Sequence, residues 1–431
     1  MSVDNNELLM LLSGKKKSKQ TIGIAGQRGF GVGVYGGDKA DLTTMGLSPM
    51  SGCDDPASDN YGNYIHTNGS IMVFVPAFCY RIGNVAAPSY SRDGVNALEI
   101  GSPELDGTDG WILHRAFIDG GQQKLGFFMD KYLCSKSASN SNIAVSVKNA
   151  DQISLSSSYI NSSSMTGCSG AVLDAITLSR ARGEQYACVS AFQWSAIAML
   201  SLAHGQAATS SKNCAWYDSG YTTNFPKGNN NYNSSAPGDT NDSTVKYTVH
   251  SKYGSFGKTG SGTPFAKTTH NGQACGICDI NGVMWQPLLG IYRDATTGYH
   301  YVARESFKMH DFTTSNNYKP SNFEPVISGM AREGEGYWGN GTKCVFNTSS
   351  SGSGRAICGV IPTIGGYGSG GTTLFGKVYF DPGTKPRSVV LASGNYTSRS
   401  GAGVWCREGY YYDWDDEDRD DVSFRAAGYA S

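Results

Sequence analysis

The sequence contains no run of about 18 consecutive apolar residues, the length that a membrane-spanning helix requires. It also carries few charges, because Asp, Glu, Lys and Arg make up 16% of its 431 residues, whereas about 25% is typical of soluble proteins. The positive and negative charges nearly cancel, and the formal net charge is -1. We therefore expect no membrane span and no overall attraction to nucleic acid.

Residues 1–20 lack the pattern of a secretory signal, because acidic residues come first and the lysines of KKKSK follow a short apolar run. Assembly in the cytoplasm is therefore expected, with the 11 cysteines mostly reduced and buried as small apolar side chains. Cys275 and Cys278 form an isolated C-x-x-C pair without a second pair or suitably spaced histidines. Neither a zinc site nor a redox role is predicted there.

Glycine (56 residues) and tyrosine (25 residues) are both abundant. Most of the glycines indicate tight turns, and tyrosine suits loop surfaces that make contacts, because its ring is large and stiff. Gly31, Gly33 and Gly36 match G-x-G-x-x-G, but turn chemistry without a helical period follows them, so a nucleotide loop is not predicted. The region of about residues 1–65 is instead predicted to dock the chain to a larger assembly or to oligomerise it.

Two helices are predicted in the middle of the chain, over residues 171–183 and residues 189–203. The second has Ser190 as its N-cap candidate and places Phe192, Ala196, Met199 and Leu200 on one face. Residues 206–272 are rich in Asn, Ser, Gly, Thr and Tyr, and we expect them to form an ordered but irregular insertion. Strand-like runs precede and follow, so the pattern predicts an α+β domain over residues 66–431. The runs that indicate strands are IMVFVPAFCYRIG, two within WILHRAFIDGGQQKLGFFMDKYLCS, VMWQPLLGIY, HYVARES, KCVFN, LFGKVYF, SVVLAS, AGVWCRE and VSFRAA.

An acidic block lies near the C-terminus, where Tyr410 to Tyr412 are followed by seven carboxylates and one arginine between Asp413 and Asp421. Such blocks are usually solvated loops or disordered tails. The apolar run VSFRAA returns after this one, however, and tyrosines are interleaved with it, which favours a binding surface attached to a core. The charge of that surface would be set by the carboxylates and by Arg399, Arg407 and Arg419.

A calcium loop is another interpretation of the acidic block. Asp413, Asp415 and Glu417 alternate as they would at the start of an EF-hand. Asp418 stands where the EF-hand needs glycine, and Phe424 stands where it needs a bidentate glutamate, so that motif fails. A structural calcium ion in an irregular carboxylate site stays open as an alternative, and no other metal or cofactor is predicted.

Four motifs in order resemble the formylglycine-generating-enzyme type of C-type lectin fold. They are FFMDKY (127–132), the helix with Phe192 and Trp194, CGICDINGVMWQ (275–286), and VWCREGYYYDW with VSFRAA. The resemblance covers roughly residues 70–428 and implies two helices, short antiparallel strands and long irregular loops. It also implies a structural frame of Trp194, Asp279, Trp285, Val404, Trp405, Phe424 and Arg425.

The enzymes of this fold use two cysteines near the C-terminal core or an iron site of histidines. Only Cys406 occupies the matching segment here, and no two of the seven histidines have i, i+4 spacing. No catalytic residue is therefore predicted. The other branch comprises the variable proteins of diversity-generating retroelements, including phage tropism determinants, whose C-terminal segment is rewritten at adenines.

The second branch implies an exchangeable segment over about residues 393–421. The composition of this segment agrees with rewriting at adenines, since Tyr, Asp, Ser, Asn, Gly and Arg dominate it. Trp414 and Glu417 depart from that set, so either they are fixed positions or the pattern is looser. The predicted ligand-binding residues are Asn395, Tyr396, Ser398, Arg399, Ser400, Tyr410, Tyr411, Tyr412, Asp413, Asp415, Asp416, Asp418, Arg419, Asp420 and Asp421.

The resemblance implies a non-enzymatic adhesin, a phage tail protein that binds a protein or glycan on the host cell surface. It also implies contacts with other virion proteins through residues 1–65, a homotrimer, and location in the virion, or alternatively on a bacterial cell surface. Two other classes stay open. One is an oxidoreductase of the formylglycine-generating type, and the other is a purely structural virion protein.

Overall fold

The computed structural model describes residues 21–157, 164–219, 223–294, 300–325, 334–337, 377–380, 387–409, 414–415 and 419–430. Its α-helices are α1 (Lys39–Thr44), α2 (Tyr90–Asp93), α3 (Asp174–Arg180) and α4 (Ala191–Ala207). Short 3-10 helices cover Gly94–Asn96, Pro103–Leu105, Arg115–Phe117, Phe265–Thr268, Met309–Asp311, Ser315–Asn317 and Arg399–Gly401.

The strands are β1 (Leu47–Pro49), β2 (Asn63–His66), β3 (Ile71–Pro76), β4 (Cys79–Ile82), β5 (Leu98–Gly101), β6 (Ile112–Leu113), β7 (Ile118–Asp119), β8 (Gln122–Gln123), β9 (Gly126–Asp130), β10 (Cys134–Lys136), β11 (Ala144–Ser146), β12 (Tyr186–Cys188), β13 (Gln286–Arg293), β14 (His300–Ala303), β15 (Phe323–Pro325), β16 (Gly334–Tyr337), β17 (Lys377–Phe380), β18 (Ser388–Ser393), β19 (Gly403–Gly409) and β20 (Ala426–Gly428). The predicted α+β class is confirmed, with most of the regular structure in antiparallel strands. The predicted strand KCVFN (343–347) lies outside the described residues.

Helix α4 is the centre of the fold. Ser190 begins it with a capping box, in which its hydroxyl accepts the Gln193 N–H and the Gln193 side chain accepts the Ser190 N–H. The predicted helix and N-cap are therefore confirmed. The four residues predicted on one face are buried, but burial is not confined to that face, because every residue from 191 to 206 is buried. The helix contacts β5, β13, β19 and the 3-10 helix Arg115–Phe117, and its many small residues allow this close packing.

The first sheet has six strands in the order β1-β2-β3-β9-β20-β12, all antiparallel. The last strand of the chain, β20, therefore lies inside the sheet, between β9 and β12. Strand β2 straddles the predicted domain boundary at residue 65 and pairs with both β1 and β3, so these three strands belong to one sheet. The docking role assigned to residues 1–65 stays a prediction.

Helix α1 corrects one detail of the sequence analysis. Turns without a helix were expected after Gly36, whereas residues 39–44 form a short helix whose N-cap is Asp38. The Asp38 carboxylate accepts the Ala40 N–H at 3.0 Å. This local side-chain cap stabilises a turn of helix that has no buried residue and therefore no apolar period to reveal it.

The second sheet has seven strands in the order β15-β14-β13-β18-β19-β17-β16. All its pairs are antiparallel except β17 with β19. Strand β13 is buried along its whole length, and it lies between β14 and β18. The loop from β18 to β19, residues 394–402, carries the first part of the predicted exchangeable segment.

The insertion over residues 206–272 is irregular as predicted, with one 3-10 helix in its described part. Asp279 attaches it to the core. The buried Asp279 carboxylate accepts the Thr259 hydroxyl at 2.8 Å and the Gly260 N–H at 2.7 Å. Burial raises the pKa of Asp279, and the bond from Thr259 opposes that shift.

The nine cysteines of the described residues form no disulfide, and eight of them are buried. This agrees with the expected use of cysteine as a small apolar side chain. No helix in the described part of the chain is both long enough and apolar enough to cross a membrane.

Candidate ligand-binding surface

Asn395 and Asp421 join the two ends of the predicted exchangeable segment. The Asn395 amide nitrogen donates to the Asp421 carboxylate at 2.6 Å. Arg419 donates to the same carboxylate from Nε at 2.8 Å and from Nη2 at 2.9 Å. The β18–β19 loop and the end of the acidic block therefore lie side by side, as the sequence analysis required of a single surface. The Arg419 and Asp421 charges offset each other inside the protein, and neither is wholly available to a ligand.

The loop after β18 is shaped by Asn395 itself. Its side-chain oxygen accepts the Thr397 N–H at 3.0 Å, the Thr397 hydroxyl at 2.8 Å and the Ser398 hydroxyl at 2.9 Å. Asn395 is only 7% exposed, so it supports the loop from beneath. Ser398 and Ser400 are half-buried, and Arg399 is exposed with a left-handed backbone (φ 51°). The outward positions of this loop are therefore Thr397 and Arg399.

Tyr396 is half-buried rather than fully displayed. Its ring packs edge-on against Phe256, with ring centroids 4.5 Å apart, and it also contacts Tyr232 at 6.0 Å. Both partners belong to the irregular insertion, which the sequence analysis did not connect with the surface. The abundance of Tyr, Ser and Gly in both segments was the available signal.

The acidic block divides into buried and exposed positions. Trp414 is completely buried, stacks on Tyr318 with ring centroids 5.8 Å apart, and accepts the Leu173 N–H at 2.9 Å through its carbonyl. Asp415 and Asp420 are exposed, and the Asp415 carboxylate accepts the Ser315 hydroxyl. Trp414 was interpreted either as a fixed position or as a sign of a looser pattern, and its burial fits a fixed position. Six predicted ligand-binding residues lie outside the described residues, namely Tyr410, Tyr411, Tyr412, Asp413, Asp416 and Asp418.

Arg407 differs from the expectation for a surface charge. It is 1% exposed, and its Nη1 donates to the carbonyls of Val404 and Cys406, each at 2.9 Å. Burial lowers the pKa of Arg407 to about 9. The prediction that Arg407 contributes charge to the binding surface is therefore wrong, because strand β19 is covered along nearly its whole length.

All seven residues of the predicted frame are buried, and they tie the surface to the core. These residues are Trp194, Asp279, Trp285, Val404, Trp405, Phe424 and Arg425. The Trp194 indole nitrogen donates to the Val404 carbonyl at 2.7 Å. The Trp285 N–H donates to the Asp421 carbonyl at 2.9 Å, and the Ser423 N–H donates to the Trp285 carbonyl at 2.9 Å. The backbone on both sides of Val422 is therefore held in place.

Arg425 is fully buried, and the acceptors of its guanidinium N–H groups within the described part of the chain are neutral oxygens. It donates to the Gln286 side chain at 2.7 Å and to the Asp130 and Cys278 carbonyls, each at 2.9 Å. A further bond reaches the Asp279 carbonyl at 3.2 Å. One side chain thus connects β9, the 275–286 motif and the segment that leads into β20.

A cavity of about 350 Å³ opens beside the β18–β19 loop. Its lining consists of Trp285, Thr397, Ser398, Gly401, Cys406, Arg407 and Glu408. Within the residues that the structure describes, no cluster of three or more His, Cys, Asp or Glu side chains is arranged to hold a metal ion. The C-x-x-C pair is buried, and burial raises the pKa of both thiols.

No protein-family model matches the sequence, and no curated protein matches it. A solved structure titled "Major Tropism Determinant U1 Variant" aligns over 84% of this chain and 63% of its own chain, at 12% sequence identity and a TM-score of 0.28. The alignment thus spans less than two thirds of that chain. At this TM-score the alignment does not define a shared fold, so the architecture is described from its own topology.

Proposed function

We propose that this chain is a non-enzymatic receptor-binding protein whose surface around residues 393–421 recognises a ligand on a host cell. The observation that carries the proposal is the bond from Asn395 to Asp421. It places the β18–β19 loop, which carries Asn395, Tyr396 and Arg399, beside the end of the acidic block. Residues of this kind provide adaptable hydrogen bonds and rigid aromatic contacts at low entropic cost.

The separation of buried from exposed positions supports the same function. Trp405 and Trp414 are completely buried, whereas Arg399, Asp415 and Asp420 are exposed. Exposed substitutions on a well-packed frame change stability by only about 0.5 kcal/mol. A surface built in this way tolerates extensive change of its outward residues, as a binding protein that must change partners requires.

The finer parts of the proposal rest on the resemblance. They are a C-type lectin-like fold of the formylglycine-generating type, a diversified segment at about residues 393–421, and a place in a phage tail rather than on a bacterial cell surface. The proposed partners are a host cell-surface protein or glycan and other virion proteins that contact residues 1–65.

A homotrimer is also proposed, and light scattering of the full chain measures its oligomeric state. A structural calcium ion stays a prediction, and calcium chelation during a binding assay tests it.

The proposal is tested by neutralising two outward charges of the surface. Arg399→Asn and Asp420→Asn together leave the net charge unchanged, and asparagine tolerates the positive φ of residue 399. The fluorescently labelled full chain is screened against a panel of bacterial strains, and the variant is measured on strains that bind the original chain. We expect binding at least about tenfold weaker, which corresponds to about 1.4 kcal/mol.

The matched control is Asp54→Asn with Lys212→Gln, which removes one exposed charge of each sign elsewhere on the described surface. This pair should bind as the original chain does. Equal binding by both pairs would contradict the proposed surface.

The oxidoreductase class is tested by thiol oxidation after copper or iron loading, where loss of turnover in Cys406→Ser would favour the enzyme. The class of purely structural virion proteins predicts unchanged host adsorption when Tyr410, Tyr411 and Tyr412 are replaced by alanine.

A further inference from the structure

Tyr232 is an exposed aromatic residue that lies outside the predicted exchangeable segment. Its side chain is 57% exposed. Its backbone is left-handed, with φ 53°. That conformation is uncommon for residues other than glycine, and a bulky side chain adopts it at a cost of about 1–3 kcal/mol.

The strain at Tyr232 has no compensation in burial, because more than half of the side chain faces solvent. Asparagine residues stand on both sides of it, at 231 and 233, and asparagine adopts this conformation readily. A loop under selection for stability alone would place asparagine or glycine at this position. The presence of an exposed, strained tyrosine therefore points to a use of its ring.

The backbone of residues 230 and 232 forms hydrogen bonds with the β18–β19 loop. The Tyr232 N–H donates to the Tyr396 carbonyl, and the Arg399 N–H donates to the Asn230 carbonyl, each at 2.9 Å. The rings of Tyr232 and Tyr396 lie 6.0 Å apart at an interplanar angle of 36°. Tyr232 therefore extends the surface that carries Arg399, although residues 232 and 396 are far apart in the sequence.

A buried polar network makes the base of this extension rigid. The Asn230 side chain donates to the Asn281 side chain at 2.8 Å and to the Asp239 carboxylate at 3.2 Å. Its oxygen accepts the Thr240 N–H at 2.8 Å. Asn230, Asp239 and Asn281 are all buried. Fully satisfied buried networks hold one backbone conformation, so the position of Tyr232 is preset.

Apart from Arg399, the exposed side chains next to Tyr232 in its own segment and in the β18–β19 loop are uncharged and rich in hydrogen-bonding groups. Asn233, Ser234, Ser235 and Thr397 are all exposed, and they carry amides and hydroxyls. A sugar ring has one apolar C–H face, which packs on the electron-rich face of an aromatic ring, and a rim of hydroxyls that amides and hydroxyls can bind. A protein partner would instead favour a larger dehydrated apolar centre.

We propose that Tyr232 is a ligand-contact residue of the binding surface, and that its ring stacks on a neutral sugar unit of a host surface glycan. The inference rests on the proposed function, since it names the ligand class of the same surface. It adds a contact from the insertion, which the segment over residues 393–421 does not include.

Three variants of the full chain test the contact. Tyr232→Phe keeps the ring and should bind cells within about threefold of the original, whereas Tyr232→Asn should bind at least about tenfold more weakly. Tyr232→Asn should also melt at the same temperature or higher, because asparagine relieves the backbone strain. Val85→Ala, another highly exposed apolar position, serves as the control and should change neither property. Undiminished binding by Tyr232→Asn, or a clear fall in its melting temperature, would overturn the assignment.

Treatment of the cells tests the ligand class. Mild periodate cleaves vicinal diols of sugars and should abolish binding, whereas a surface protease should leave it intact. Binding that survives periodate and disappears after protease would replace the glycan with a protein receptor. Failure of this inference is distinct from failure of the proposed function. If only this inference fails, the Tyr232 variants bind normally and the Arg399/Asp420 double variant binds weakly. If the proposed function fails, the double variant binds normally as well.

Discussion

Asn395 and Asp421 meet through a hydrogen bond of 2.6 Å from the asparagine amide to the aspartate carboxylate. The same carboxylate receives two bonds from Arg419, and the same asparagine caps the loop that displays Arg399. One pair of side chains thus holds together the two described parts of the surface.

Asn395→Ala should loosen this connection. The substitution removes the bond to Asp421 and the three bonds that shape the loop, and each bond typically contributes about 0.5–1.5 kcal/mol. We expect the free energy of unfolding to fall by at least about 2 kcal/mol in urea titrations, together with faster amide exchange over residues 394–402. Thr397→Ala is the comparison, since it removes only one of these four bonds, from the Thr397 hydroxyl to the Asn395 oxygen, and it should change both measurements less. A variant Asn395→Ala with unchanged exchange would show that the loop is held by other contacts.

Trp414 and Asp420 should respond in opposite ways to replacement by alanine. Trp414→Ala removes a completely buried indole and should reduce stability by about 3–5 kcal/mol. Asp420→Ala changes an exposed side chain and should stay within about 0.5 kcal/mol of the original. Chemical denaturation of both variants provides the comparison. Similar values for the two would contradict the division of the acidic block into frame and display positions.

Arg425 should prove sensitive even to a conservative change. Its planar guanidinium reaches four acceptors in three parts of the chain, and a lysine ammonium cannot reproduce that geometry. We expect Arg425→Leu to cost about 3–5 kcal/mol, because it leaves several buried acceptors unsatisfied. Arg425→Lys should recover less than half of that loss, as measured by urea unfolding. Full recovery by lysine would mean that charge, and not the fork geometry, matters at this position.

Stability should decline in mild acid because burial lowers the pKa of several histidines, His204 and His270 among them. Burial lowers the pKa of His204 and of His270 to about 4. Each accepts a backbone N–H at Nδ1, from Gly26 at 3.1 Å and from Ile277 at 3.0 Å, so the native state holds them neutral. Between pH 6.5 and 4 the unfolded chain binds these protons and the native chain does not. As the pH falls through this range, the free energy of unfolding should therefore decrease by up to about 1.4 kcal/mol per pH unit for each histidine.

Unfolding measured at pH 7.5, 6.0 and 5.0 tests this dependence. His270→Gln should flatten the slope, because glutamine can accept and donate in the same place without titrating. Its stability at pH 7.5 should be lower than that of the original chain, since the fit is poorer. An unchanged slope in this variant would mean that the acid sensitivity comes from other groups.

Several elements could be predicted from local sequence because local interactions form them. The cap of α4 is an example, since Ser190 and Gln193 are three residues apart and satisfy each other. Strand β18 over SVVLAS follows in the same way from its apolar content, whereas the predicted strand VSFRAA is a strand only from Ala426 onward. The solvent exposure of Arg399 and Arg407 was harder to predict, because arginine is mostly exposed in folded proteins. Only the covering of β19 by its neighbours separates the exposed one from the buried one.

The sequence by itself determined the α+β class, the central helix, and a C-terminal segment whose composition suits contact rather than packing. These properties depend on side-chain period, capping and residue type, which a single chain displays along its length. The tertiary structure decided which residues share the surface. Asn395 meets Asp421, and Tyr232 meets Tyr396, because the order of strands in the second sheet and the buried network around Asn230 bring distant segments together. No local pattern encodes that proximity, since it depends on how the whole core packs.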